Sequence, residues 1–166
     1  DDMTDSVALR AIYAIRTRLQ AIDGNSPFNT AAGGTVLINR STVEKADLPL
    51  VVIVPGDETV EPSSGGGFAD GRSQAMKVQF DINVEGMVLA EQSNTGEQLE
   101  EIKADIKRAM LLFAEPTLKD GNFAIGPIAY LGSTPLARED GAATESVQCR
   151  FRVIYTEKFG DPNATR

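Results

Sequence analysis

The first candidate for chemistry in this chain is a cluster of glycines. Gly65, Gly66 and Gly67 precede Gly71 and Arg72, a composition that resembles a phosphate-binding loop. A Walker loop needs Gly-Lys-Ser/Thr at the start of a helix, because backbone N–H groups, the lysine and the hydroxyl act together on phosphates and metal. No such lysine follows these glycines, and the next residues have strand character. The pattern therefore favours a loop without phosphate chemistry.

Carboxylates and one thiol are the remaining candidates. Asp57, Glu58 and Glu61 lie close in sequence, but a calcium loop requires a tighter alternation of oxygen ligands around a glycine. Cys149 alternates with apolar residues, and no histidine is present to activate it as a nucleophile. We therefore expect no catalytic residue, no cofactor and no metal. An enzyme or small-ligand domain built on carboxylates stays open as the alternative from another class.

Composition narrows the class of protein. The 166 residues, 42% of them hydrophobic, are enough for one domain over 1–166 with its own core. Sixteen basic and 24 acidic residues give a formal charge of −8. No basic stripe is present, which disfavours tight binding to DNA. The negative net charge disfavours binding to an anionic membrane surface.

The sequence predicts two amphipathic helices, which would help to position a functional site. Leu9–Ile22 places Ile12, Ile15 and Leu19 at helical spacing. Thr95–Ala114 places Ile102 and Ile106 on a second apolar stripe, and Pro116 follows it.

Strand patterns complete the predicted fold. The stretches concerned are 35–39, 48–54, 76–90, 123–131 and 147–155. The order α-β-β-β-α-β-β, with regular alternation in the third and last strands, predicts an α+β fold: a mainly antiparallel sheet with both helices on one face. Residues 55–75 are expected to form a long flexible loop between the second and third strands, and residues 157–166 a C-terminal tail.

The third strand carries the most informative polar pattern. Its outward positions form one wet face of the sheet, consisting of Lys77, Gln79, Asp81, Asn83 and Glu85. A solvent-facing sheet explains this pattern, and so does a surface that lines a channel or meets a partner subunit.

The segments together resemble the tail terminator proteins of long-tailed bacteriophages. The points of resemblance are the opening helix, the stretch Leu48–Glu58 before a variable loop, the strand Val78–Val88, the helical stretch Ala104–Met110, and Phe151–Thr156 followed by Gly160-Asp161-Pro162. They span most of the chain between Leu9 and Pro162.

The resemblance implies a small structural virion protein, assembled in the host cytoplasm. Such a protein forms a ring, typically a homo-hexamer, on the head-proximal end of the tail tube. It stops tube polymerisation, presents a surface to the head-completion protein, and lets DNA pass without specific binding. No chemical step, cofactor or membrane is implied. A head-completion stopper, an adaptor or a tail tube subunit remains the nearest alternative.

The resemblance carries no invariant site residue, so positions for the interfaces rest on the predicted fold. We expect the wet face to line the lumen, where Asp81 and Glu85 would repel phosphates. Contacts to neighbouring subunits or to the tube are expected at residues in or beside the long loop and near the end of the chain: Asp57, Glu58, Phe68, Arg72, Arg150, Arg152, Lys158 and Phe159.

Overall fold

Two α-helices and seven strands are the main elements of the part of the chain that the computed structural model describes, residues 5–39, 43–61, 75–90, 94–112, 115–137, 142–158 and 161–165. The helices are α1 (Val7–Leu19) and α2 (Thr95–Lys107), and α2 continues as a π-helical turn over Arg108–Leu112. The strands are β1 (Val36–Ile38), β2 (Leu50–Val60), β3 (Ala75–Leu89), β4 (Thr117–Asp120), β5 (Phe123–Pro135), β6 (Thr144–Lys158) and β7 (Asp161–Thr165).

The strands form a sheet in the order β1-β2-β3-β6-β5-β4, and β7 pairs with β6. β1 lies parallel to β2, and every other pair is antiparallel. The predicted α+β class and mainly antiparallel sheet are confirmed.

The core lies between the helices and one face of the sheet. Alternate residues of β3 and β6 point into it, including Ile82, Val84, Phe151 and Val153, which are fully buried. This period-2 burial is what the sequence alternation predicts for strands with one covered face.

Arg18 joins the end of α1 to the end of α2. Its guanidinium donates to the backbone carbonyls of Met110 (2.9 Å), Glu115 (2.7 Å) and Thr117 (3.3 Å). Carbonyl groups at a helix C-terminus lack partners within the helix, so a cation placed there satisfies them and complements the helix dipole. Burial lowers the pKa of Arg18, and the charge of Glu115 partly offsets that effect.

Asp105 of α2 holds the loop that follows α1 against α2. The side chain is fully buried, and its carboxylate accepts from the backbone N–H groups of Asn29 (3.0 Å) and Thr30 (2.7 Å) and from the Thr30 hydroxyl (2.8 Å). Arg108 supplies the countercharge at 3.1 Å. A buried carboxylate is tolerated when it is paired and hydrogen-bonded in this way.

Two close approaches in the core require glycine. A Cβ on Gly126 would overlap the carbonyl oxygen of Ile154 on β6. A Cβ on Gly33 would lie 2.5 Å from the Leu19 carbonyl oxygen, where the chain packs against the end of α1. Gly86 keeps its regular register to both neighbouring strands, and the missing side chain leaves room for Ile102 of α2.

Three elements differ from the prediction. β2 continues to Val60, so Pro55–Val60 are strand and not the start of a loop; a register shift between Pro55 and Glu58 absorbs the Pro-Gly pair, and pairing with β3 then resumes. β4 is an additional strand, joined to β5 across Gly121 and Asn122. The predicted tail contains β7, which pairs back on β6. The rest of the predicted loop, 62–74, lies outside the described residues.

Candidate interaction surface

The polar face of β3 lies opposite the helices, as predicted. Gln79, Asp81 and Asn83 alternate with the core residues of the strand and are partly exposed, and Lys77 is exposed. In register across from them on β6 stand Ile154, Arg152 and Arg150. This surface is therefore shared by two central strands of the sheet.

Asp81 and Arg152 form a bidentate ion pair on this surface. The Nε–Oδ1 distance is 2.7 Å and the Nη2–Oδ2 distance is 3.1 Å, and the two residues are direct cross-strand partners. The hydrogen bond and the charge of Asp81 raise the pKa of Arg152. Because each charge is balanced by its neighbour, Asp81 does not give the surface a net negative potential.

Glu85 does not belong to a wet surface, and this part of the prediction is wrong. Its residue is only 3% exposed. Its partner on β2 is Val52, which is fully buried, as is Leu50 on the same side of the strand. This end of the sheet is thus covered on both faces, and phosphate repulsion by Glu85 loses its basis.

A second cluster of polar side chains, around Glu61, lies at the other end of the surface. Glu61 accepts a hydrogen bond from Gln79 (2.9 Å) and lies 3.2 Å from the Lys77 ammonium. These bonds, that of Gln79 first, lower the pKa of Glu61. The surface from Lys77 to Asn83 is therefore polar, with its carboxylates matched to cations or amides.

The predicted interface residues do not converge on one patch. Asp57 and Glu58 are exposed on the outer part of β2, Arg150 is exposed on β6, and Lys158 ends β6 beside Ala75 of β3. Phe68, Arg72 and Phe159 lie outside the described residues. Sequence reasoning missed Leu131 of β5, which is 41% exposed at an irregularity in pairing between Tyr130 and Gly132. An apolar residue in the middle of a strand pattern carries no sequence signal for exposure.

Neither the thiol nor a cavity beside α2 offers an evident reactive site. Burial raises the pKa of Cys149 to about 11, so the reactive thiolate is scarce at neutral pH. A cavity of about 360 Å³ lies beside the start of α2, with Leu48, Pro49, Leu89 and Glu101 among its lining residues. Within the described ranges, no group of three or more Asp, Glu, Cys or His side chains is placed to hold a metal ion.

The described helices are too short or too polar to cross a membrane. No protein-family profile matches the sequence, and no curated protein matches it. Among solved structures, the chain is similar to one from the virion of a native gene transfer agent particle. The TM-score is 0.57 at 14% sequence identity, and the match covers 87% of this chain and 93% of that one. The two chains therefore share a fold over nearly their whole lengths.

Proposed function

We propose that this protein is a structural component of a phage-like virion and, more specifically, a tail terminator. The observation that carries the proposal is the shared fold with a virion chain over 87% of this protein and 93% of the other. The resemblance of the helix and strand segments to tail terminators supports the narrower role. In that role the protein forms a homo-hexameric ring on the head-proximal end of the tail tube, after assembly in the host cytoplasm.

A structural role without catalysis agrees with how the polar groups are used. Asp105 and Arg18 hold the helices in place, and Asp81 and Arg152 neutralise one another. Cys149 is buried with a raised pKa. These groups are engaged in holding the fold, which supports a protein whose work is contact with other subunits.

We place the surface from Lys77 to Asn83 toward the lumen of the ring. A DNA conduit works best when it does not grip the duplex, and phosphate contacts from unpaired cations are what produce such a grip. The ion pair of Asp81 with Arg152 and the cluster around Glu61 give most of this surface matched charges; Arg150, opposite Asn83, is exposed on the same surface and forms no ion pair within the described residues. Matched charges, and not the acidic repulsion expected from sequence, are the support for free sliding.

The second candidate is another neck or tail component: a stopper, an adaptor or a tube subunit. The shared fold with a virion chain supports these as well, since it does not distinguish among ring proteins of one particle. Tube subunits stack into open-ended polymers, whereas a terminator forms rings that do not stack. The tail tube protein and the head-completion protein are the partners proposed for the terminator.

Solution mass across a concentration series, followed by negative-stain imaging, tests the proposal. Closed rings that do not grow into tubes are the expected result, at high concentration or on addition of tube protein. Open-ended tubes of this chain alone would transfer the proposal to a tube subunit. A monomer that neither forms rings nor binds tube ends would remove the terminator role.

A further inference from the structure

The sheet has a free edge on β2. β1 pairs only with Val51–Ile53, and within the described residues no strand pairs with the outer side of β2 beyond that point. Residues 56–60 therefore present backbone N–H and C=O groups to the outside, and Asp57 and Glu58 are exposed there. Unpaired strand edges readily accept another strand.

A second free edge lies on β5, on the opposite side of the sheet. β4 pairs only with Phe123–Pro127, so residues 128–135 have β6 on one side and, among the described strands, none on the other. These eight residues carry no charge, and Leu131 is 41% exposed. Charges on the edge strands of monomers hinder pairing with another strand; this edge has none, and its features of that kind are Pro135 and the irregular pairing between Tyr130 and Gly132.

The topology makes the two edges compatible. β2, β3, β6 and β5 are successive antiparallel neighbours, so β5 runs opposite to β2. When copies are placed side by side with the same face inward, β5 of one copy meets β2 of the next in antiparallel orientation. The register runs from Ile128 on β5 across the sheet to Glu58 on β2. From this row of paired residues, residues 128–135 extend toward one end of the sheet and residues 56–60 toward the other. Their pairing therefore requires neighbouring copies to be offset along the strand direction by a few residues, as tilted strands in a closed barrel are.

The charges beside the edges are complementary. Arg150 is exposed on β6 opposite Gly132, and its Nη2 would lie 3.3 Å from a Cβ added there. The guanidinium thus extends over Gly132 of β5. Asp57 on the other edge lies in the register shift of β2 and is exposed. No ion pair to either residue is formed within the described part of the chain, so each would gain a partner at the junction.

We propose that copies of this chain join through a continuous sheet, with residues 128–135 of β5 in one copy paired to residues 56–60 of β2 in the next. The contact is heterologous, so its repetition gives a ring when the rotation closes and a filament when it does not. The inference deepens the proposed function, and for closure into a ring it rests on that function. It names the surface that joins the subunits.

Thiol cross-linking tests the pairing in the intact protein. Cysteine is introduced singly as Leu131→Cys in one preparation, and as Asp57→Cys, Glu58→Cys or Thr59→Cys in others. All four positions are exposed, so folding should be retained, and circular dichroism checks this. The native Cys149 is fully buried and does not compete. Leu111→Cys replaces Leu131→Cys as the control, because Leu111 is similarly exposed (38%) but lies on the helical side of the molecule.

Under mild oxidation, the mixture of Leu131→Cys with one of the β2 variants is expected to give a mixed disulfide dimer. Its yield should exceed that of the Leu111→Cys control by about tenfold, since paired strands hold the thiols at a high effective concentration. Cα atoms in antiparallel partners are about 4.5–5.5 Å apart, which a disulfide can span. The β2 position that reacts best gives the register.

Two results would overturn the inference. Cross-linking of Leu131→Cys with itself above the control would show an isologous β5–β5 contact. Mixtures that do not exceed the control would show that the edges do not pair. If the cross-link fails while the wild-type protein still caps tube ends, the edge pairing is wrong and the proposed function stands. If the cross-link forms but the protein does not cap tube ends, the edge pairing stands and the tail terminator role is wrong.

Discussion

Replacing Asp105 by asparagine should remove the fastening between α2 and the loop at Asn29 and Thr30. The asparagine keeps the shape of the side chain but has one acceptor oxygen and an amide that donates. The buried carboxylate now accepts from two backbone N–H groups, one hydroxyl and Arg108. The asparagine oxygen can accept only some of these hydrogen bonds, and the side-chain NH2 group would face other hydrogen-bond donors.

The magnitude follows from the groups left unsatisfied. Each buried donor without an acceptor costs about 1–3 kcal/mol, and removing one partner of a buried ion pair costs about 3–5 kcal/mol. The neutral amide is easier to bury than a carboxylate, which offsets part of this. We expect the free energy of unfolding to fall by about 3 kcal/mol, and Tm to fall by about 6–12 °C for a domain of this size.

Urea unfolding followed by circular dichroism measures the change, with Glu101→Gln as the matched control. Glu101 is on the same helix and is exposed, so its neutralisation should alter stability by less than about 0.5 kcal/mol. If Asp105→Asn shifts the midpoint no more than this control does, the carboxylate does not anchor the loop and our reasoning about the helix packing is refuted.

Three further predictions concern the core and the polar cluster. Gly126→Ala should lower the free energy of unfolding by about 3 kcal/mol, because the added Cβ would overlap a backbone carbonyl of β6. Gly96→Ala is the control, because the space around Gly96 is open, and it should raise the free energy of unfolding by about 0.4–1 kcal/mol in the same urea assay. Equal effects of the two substitutions would contradict the close packing at Gly126. The Cys149 thiol, whose pKa is raised to about 11, should react with a disulfide reagent at pH 8 only after unfolding in urea; rapid reaction of the native protein would show that the site opens. Hydrogen bonds, chiefly that of Gln79, lower the folded pKa of Glu61, so its contribution to stability is present above the unfolded pKa of about 4.3 and is lost as the pH falls through the folded value. Glu61→Gln should therefore reduce the acid dependence of the unfolding midpoint, and an unchanged dependence would argue against the bond.

The central strands could be predicted because each has one covered face. Val78, Phe80 and Ile82 alternate with polar residues, and this period fixes both the strand and the side that is buried. The hairpin of β4 and β5 has a local signal, since its two turn residues, Gly121-Asn122, are a favoured hairpin dipeptide.

Other features depend on neighbours that are distant in sequence. Pro55-Gly56 favours the end of a strand, but pairing with β3 continues past a register shift that local sequence does not specify. Glu85 fits the polar alternation, and only its position beside the buried Val52 explains why it is covered. Leu131 has no local mark of exposure, because an apolar residue does not reveal that it occupies one of the alternate outward positions of β5.

The proposed role is tested most directly on growing tail tubes. Labelled protein is added to the tail tube protein of the same particle during assembly, and negative-stain images give the position of the label and the distribution of tube lengths. The account predicts label at one end of each tube, no further growth at that end, and shorter tubes as more protein is added. Label along the tube walls, or unlabelled ends with unchanged lengths, would contradict a tail terminator.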